Sequence, residues 1–211
     1  MSGLYELEKI KLPYYKTVHF PFSPGYMPPA VKRLKAEYET LQRDLIAKRG
    51  FKAQGEMPYK KPAYDGSFLP SRLDDIHALF VELHLRKGQR LVDLGSGDGR
   101  VVFLGALFGA EAVGIEGDEE LCEVAGQMKG YLLAIPEFEL LRNTEIRRAD
   151  FFNEDLSPFD VAFLYYPQPK DPHEFNRKLM MKLMAELKPG SLYVSLSYGS
   201  SCAGIYRRSS D

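Results

Sequence analysis

Residues Leu91–Arg100 read Leu-Val-Asp-Leu-Gly-Ser-Gly-Asp-Gly-Arg, and this stretch decides the fold. Arg90–Leu94 is a short, mostly apolar run of strand type, and Val101–Gly109 is a helical run. Between them Gly95, Gly97 and Gly99 let the backbone turn sharply and approach a ligand closely. Strand, glycine turn and helix in that order mark the carboxyl end of a strand in an open α/β sheet, the edge where such sheets bind ligands. The spacing narrows the ligand. A dinucleotide fingerprint, G-x-G-x-x-G, needs glycine at position 100, which is Arg100, and no G-x-x-x-x-G-K-S/T phosphate loop is present. Asp93 sets an acid inside the strand end, just before the turn.

Downstream, the pattern repeats. Ala112–Ile115 is a second strand, followed by a helix near Glu119–Leu133. Glu145–Ala149 is a weaker third strand and Phe159–Tyr165 a strong fourth. A helix over Pro172–Leu187 closes at Lys188-Pro189-Gly190, and Leu192–Leu196 is a fifth strand. Strands alternating with helices of this length imply parallel strands, right-handed crossovers and helices on both faces.

Upstream, Ser71–Leu85 reads as a helix with Ser71 as N-cap and Ile76, Leu79, Phe80 and Leu83 inward. Residues 51–67 read as a loop punctuated by Gly55, Pro58, Pro62 and Gly66. Before it, Val31, Leu34, Tyr38, Leu41 and Leu45 form one apolar helical stripe that starts near Pro28 and Pro29 and ends at Gly50. Such a stripe is expected to pack on its own domain. The stretch before Pro29 is rich in proline and aromatics and reads as an arm rather than a regular helix.

The chain has 211 residues, 45% hydrophobic and 27% charged, which is globular composition. Cys122 and Cys202 are its only cysteines, too few for a disulfide scaffold or a multi-cysteine zinc cage. His19, His77, His84 and His173 show no metal spacing, so no metal site is expected; His173 is the one histidine placed to serve as a base. Met1–Lys11 lacks a signal-peptide pattern, and the apolar run Val101–Ala110 is too short to span a bilayer. A cytoplasmic protein with no membrane partner is the expectation. Residues 1–70 carry 12 Lys and Arg against 7 Asp and Glu, whereas residues 71–211 carry 16 against 22. The basic segment reads best as a solvated helix, and nothing in the charge pattern favours nucleic acid.

Asp93-x-Gly95-x-Gly97-x-Gly99 after a first strand resembles the cofactor motif of the class I S-adenosylmethionine-dependent methyltransferases. Three further features agree in order. Glu116 ends the second strand nineteen residues past Gly97, Asp150-Phe151-Phe152 follows the third, and Phe159–Tyr165 matches the strand leading into the catalytic loop. The resemblance covers residues 68–200. It implies S-adenosyl-L-methionine as cofactor, held by Asp93, Gly95, Ser96, Gly97 and Gly99, by Glu116 and Gly117 at the ribose, and by Asp150 and Phe151 at the adenine. Phe68-Leu69-Pro70-Ser71 is similar to a segment that closes over the cofactor in small seven-strand protein lysine methyltransferases related to the DOT-type histone enzymes, which adds Phe68 and Ser71.

The fold expected is thus α/β, a doubly wound, mainly parallel Rossmann-like sheet. Residues 1–67 form a helical N-terminal extension and residues 68–211 the methyltransferase domain. A shortened C-terminus is expected, either natural or with a C-terminal portion absent, because fifteen residues follow Leu196, too few for the family's usual helix plus antiparallel hairpin. After the fourth strand comes Tyr165-Tyr166-Pro167-Gln168-Pro169, without the Asn or Asp that holds a nucleobase amine in related enzymes. Tyr165 and Tyr166 are the candidate catalytic residues, an aromatic wall for a cation. A protein lysine amine is the favoured acceptor, with a small-molecule or RNA acceptor, or a cofactor-binding module without catalysis, as alternatives.

Overall fold

Strand β2 (Arg90–Leu94) is buried from its second residue to its last, so both faces need cover. The computed structural model, which describes residues 15–19, 26–49, 70–166, 171–197 and 202–209, shows how both are supplied. In chain order the elements are β1 (Tyr15–His19), α1 (Pro29–Arg49), α2 (Leu73–Glu82), β2, α3 (Arg100–Leu107), β3 (Glu111–Glu116), α4 (Glu119–Leu133), β4 (Thr144–Arg148), β5 (Val161–Tyr166), α5 (Pro172–Glu186), β6 (Leu192–Ser197) and β7 (Cys202–Arg207). Short 3-10 helices cover Pro136–Asn143 and Phe151–Asn153. The seven strands form one sheet in the order β1-β7-β6-β5-β2-β3-β4. Strands β2 to β6 run parallel, and β7 is antiparallel to both β6 and β1.

Side chains alternate across this sheet into two cores. Leu91, Val161, Phe163 and Val194 face one, covered by α1, α2 and α3. Val92, Leu94, Ala162 and Leu164 face the other, where Leu179 and Leu183 of α5 cover them. Helix α3 packs so tightly that a Cβ on Gly105 would lie 2.5 Å from a Leu91 methyl carbon. Caps fix two helix starts: Asp118 accepts from the N–H groups of Glu120 and Leu121, and Asp171 accepts from Glu174 N–H ahead of Pro172.

Two findings differ from the sequence reading. Helix α2 begins at Leu73, with Arg72 at the N-cap and no side-chain cap. Ser71 is instead buried, and its carbonyl accepts from Arg100 Nη1 at 3.1 Å. The second concerns the sheet edge. A hairpin partner, β7, does form within the residues after Leu196, and the outer position beside it is filled by β1, Tyr15 pairing with Tyr206 and His19 with Cys202. The arm, read from its prolines as no regular helix, contains a strand just ahead of Pro21. Gly50, the loop over 51–67 and Pro167–Pro169 lie outside the described residues.

Helix α1 docks on its own chain. Val31, Leu34 and Tyr38 are buried in the first core, with Leu41 packed against it. Polar contacts flank the stripe: Lys35 Nζ bonds Asp74 Oδ2 at 2.6 Å, Arg33 pairs with Glu137, and Tyr131 Oη donates to Glu37 at 3.1 Å. Among the described residues no helix is long and apolar enough to cross a membrane.

Leu34 is fully buried, so Leu34→Ala is expected to cost about 2–5 kcal/mol in urea unfolding. Exposed Lys32→Ala on the same helix should change stability by under about 0.5 kcal/mol. Equal, small effects from both would mean that α1 is not docked.

Candidate functional site

The carboxyl ends of β2, β3 and β5 meet at the glycine turn. Gly95, Gly97 and Gly99 all take positive φ, at 80°, 54° and 80°, a region that side chains disfavour. The turn is stitched to β3: Gly95 N–H and Ser96 N–H both donate to the Ile115 carbonyl, at 2.8 and 3.1 Å. Gly97 N–H donates to Glu116 Oε2 at 2.7 Å, and Asp118 N–H to Oε1 at 2.9 Å. Ser96 sits so close to β3 that a Cβ on Gly114 would lie 2.5 Å from its hydroxyl oxygen. That explains a glycine inside a central strand. Gly95 is the opposite case, since a Cβ there would meet nothing within 4 Å. The turn therefore presents bare backbone to open space.

Three carboxylates surround this turn. Asp93 is almost fully buried. Its pKa stands well above the ordinary value, first because of burial, then because Glu116 and Asp98 repel its charged form. Asp98 is buried and carries a partner. The Arg100 guanidinium grips it through Nε, 3.0 Å from Oδ1, and Nη2, 2.6 Å from Oδ2. Asp98 and Arg100 were not among the residues singled out from the sequence. Arg100 was visible there only as the residue that breaks a dinucleotide fingerprint.

At the end of β4, Asp150 caps the Phe151–Asn153 turn, accepting from Phe152 N–H at 2.9 Å. Phe151 and Phe152 lie 4.6 Å apart between ring centroids, and both meet Phe175 of α5 edge-on. A cleft of about 780 Å³ opens here, lined by Asp150, Phe152, Phe175, Met181 and charged residues of α5. The ring lining it is that of Phe152, one residue beyond Phe151. Gly117 follows Glu116 at the β3 end and has room: a Cβ would approach only the Ala149 carbonyl, at 3.9 Å. Cys122 is half-buried beside the same strand end, its thiol donating to the Glu116 carbonyl at 3.6 Å.

Tyr165 is half-buried near the end of β5 and packs against the first core, opposite Leu196 of β6. Tyr166 ends the strand, opposite Ser197. His173 is exposed in the first turn of α5. Phe68 lies outside the described residues. The turn residues, Glu116, Gly117 and Asp150 thus share one edge of the sheet, with Ser71 joined to it through Arg100. Among the described residues no group of three or more His, Cys, Asp or Glu side chains is placed to hold a metal ion.

A family model described as the ANTKMT methyltransferase domain matches residues 93–201, slightly more than half of the chain. No curated protein sequence matches. Among solved structures, the chain is similar to an RNA methyltransferase from Salinibacter ruber in complex with S-adenosyl-L-homocysteine. Identity is 28% and the TM-score 0.54, covering 68% of this chain and 95% of that one. A methyltransferase from Thiobacillus denitrificans, also with S-adenosyl-L-homocysteine, matches at 20% identity and TM-score 0.48, over 61% of this chain and 48% of that one. An O-methyltransferase from Thermotoga maritima matches at 20% identity and TM-score 0.47, over 63% and 47%.

The Asp93 carboxyl gives a signed pH dependence. Its folded pKa lies above the unfolded value of 3.8, so between the two the folded chain keeps a proton that the unfolded chain releases. Stability from this group is therefore greatest below 3.8 and is lost as pH rises through the interval, by about 1.4 kcal/mol per pH unit. Asp93→Asn should raise the melting temperature at pH 7, with the gain shrinking toward the unfolded value. Calorimetric melts across that range check it, and a gain independent of pH would refute the burial account.

Proposed function

We propose that this chain, which belongs to the ANTKMT methyltransferase domain family, methylates lysine side chains of a protein substrate. It is a class I S-adenosylmethionine-dependent methyltransferase, and its glycine turn suits that cofactor. The open face at Gly95 is a cradle that a side chain would fill. Each Glu116 oxygen accepts one backbone N–H and keeps a lone pair, so the carboxylate can also accept from both ribose hydroxyls. Asp93, Gly95, Ser96, Gly97 and Gly99 would line the cofactor, Glu116 and Gly117 its ribose, and Asp150 and Phe151 its adenine, with Phe152 as a second ring.

The cofactor supplies an electrophilic methyl group on a sulfonium. The chain's own work is to orient an amine and keep it deprotonated. Alignment is worth about 7–11 kcal/mol of barrier in favourable cases. An ammonium entering a site walled by protein is pushed toward its neutral form by desolvation, which frees the lone pair. Tyr165 and Tyr166, at the end of β5, are the residues proposed to wall that site, where their rings would favour the positive charge of a sulfonium.

The observation that supports a lysine acceptor is the chemistry of this strand end. Tyr165-Tyr166-Pro167 offers no Asn or Asp to hold the amine of a nucleobase. Residues 71–211, with 16 basic and 22 acidic side chains, also suit a basic protein better than a polyanion. RNA is the second reading, favoured by the likeness to the Salinibacter ruber RNA methyltransferase.

Labelled methyl from S-adenosylmethionine, incubated with cell lysate and this protein, should enter protein and be recovered as methyl-lysine. Label confined to RNA selects the second reading, and label in no fraction refutes turnover on either. Separately, Glu116→Ala should weaken S-adenosylhomocysteine binding by about 1.5–3 kcal/mol for each charge-assisted hydrogen bond lost. Unchanged affinity by titration calorimetry would remove Glu116 from the ribose.

A further inference from the structure

Arg100 occupies the position where a dinucleotide fingerprint would demand glycine, and it joins three segments distant in sequence. Its Nε and Nη2 hold the Asp98 carboxylate within the glycine turn. Its Nη1 donates to the Ser71 carbonyl at 3.1 Å, just before α2. Its guanidinium lies 4.9 Å from the ring centroid of Tyr38, on α1. Tyr38 closes the circuit, its hydroxyl donating to the Asp98 carbonyl at 2.8 Å. All three side chains are buried, at 7% exposure for Arg100, 2% for Tyr38 and 1% for Asp98.

The bonded carbonyl belongs to the peptide that leads into Gly99. Gly99 holds φ at 80°, donates to the Ser96 carbonyl at 2.9 Å and gives its own carbonyl to Phe103 N–H of α3. Rotating the 98–99 peptide would thus move both the turn and the start of α3. Without an outside restraint, a turn with three glycines at positive φ has many other conformations open to it.

We propose that Tyr38 and Arg100 are positioning residues for cofactor binding: they clamp the 98–99 peptide, so that the glycine turn is preformed only while helix α1 is docked. Helix α1 thereby sets cofactor affinity through the 98–99 peptide. This rests on the cofactor reading above. Arg100 has no equivalent substitute, because lysine offers a point charge in place of a planar fork and cannot grip Asp98 and reach Ser71 at once.

The test compares S-adenosylhomocysteine binding, by titration calorimetry, with melting temperature in four proteins. The wild type is set against Tyr38→Phe, Arg100→Lys and Leu141→Ala. Leu141 is fully buried just before β4, and Leu141→Ala lowers stability while removing none of the hydrogen bonds or ring contacts of the clamp. Tyr38→Phe keeps the ring and removes one hydrogen bond, and should weaken binding by up to about tenfold. Arg100→Lys should weaken it by more, while Leu141→Ala melts lower and binds within about twofold of wild type. Hydrogen exchange should accelerate at the amides of 99–103 in the two clamp variants and not in Leu141→Ala. A wild type that binds no S-adenosylhomocysteine would overturn the cofactor reading. Wild-type binding with unchanged affinity and unchanged exchange in both clamp variants would overturn the clamp alone. So would an affinity loss in Leu141→Ala matching theirs, because binding would then follow global stability.

Discussion

Arg100 is a cation with almost no solvent contact. A buried guanidinium is tolerable only when a counter-charge and enough acceptors surround it. Here the counter-charge comes from Asp98, two residues back, one acceptor from Ser71 and an aromatic face from Tyr38. Satisfying that one side chain draws the glycine turn, the segment before α2 and the N-terminal helix to a common point. Burial and Asp98 act in opposite directions on Arg100, and the net result holds its pKa above the ordinary value, so it stays charged. Tyr38, buried against Asp98, has its phenol pKa raised, which keeps its hydroxyl a donor.

The turn then inherits an electrostatic character that the net charge of the chain conceals. Arg100 offsets Asp98, leaving Asp93 and Glu116 as the carboxyl groups beside the turn without an arginine partner among the described residues. Glu116 is held by Gly97 and Asp118, so its charge is fixed at the strand end before any ligand arrives. A preformed arrangement of this kind spares the ligand the cost of ordering it. The aromatic group at Phe151, Phe152 and Phe175 sits across the edge beside Asp150 and offers an apolar surface where the turn offers polar ones.

The other end of the sheet follows from the hazard of an unpaired edge. If β7 were outermost, it would present free N–H and C=O groups along six residues. Strand β1 pairs five of them, and Tyr193 stacks on Tyr206 across the neighbouring pair at 5.5 Å. The N-terminal region thus contributes to both ends of the sheet's function, closing the edge through β1 and covering the first core through α1.

Much of this was legible in the chain. Leu91–Leu94 puts apolar side chains on both faces, and a doubly buried strand followed by a glycine turn has few folds open to it, so β2, α3 and the parallel sheet could be read from local pattern alone. Glu116 and Asp150 were singled out by the family resemblance, at strand ends that the alternation of elements locates. The stripe of α1 announced that it had to be buried, because apolar spacing is a one-dimensional signal. Three features were left to tertiary structure. Strand β1 is five residues of mixed polarity, and its partner lies almost two hundred residues away, so no local periodicity marks it. Ser71 had the chemistry of a helix cap, but the demand of Arg100 for its carbonyl decided where it sits. Tyr38 read as one apolar residue in a stripe; only folding brought its hydroxyl to the Asp98 carbonyl, sixty residues on. Local periodicity encodes which faces are buried, whereas the bonds made by a buried polar atom depend on which distant segment arrives opposite it.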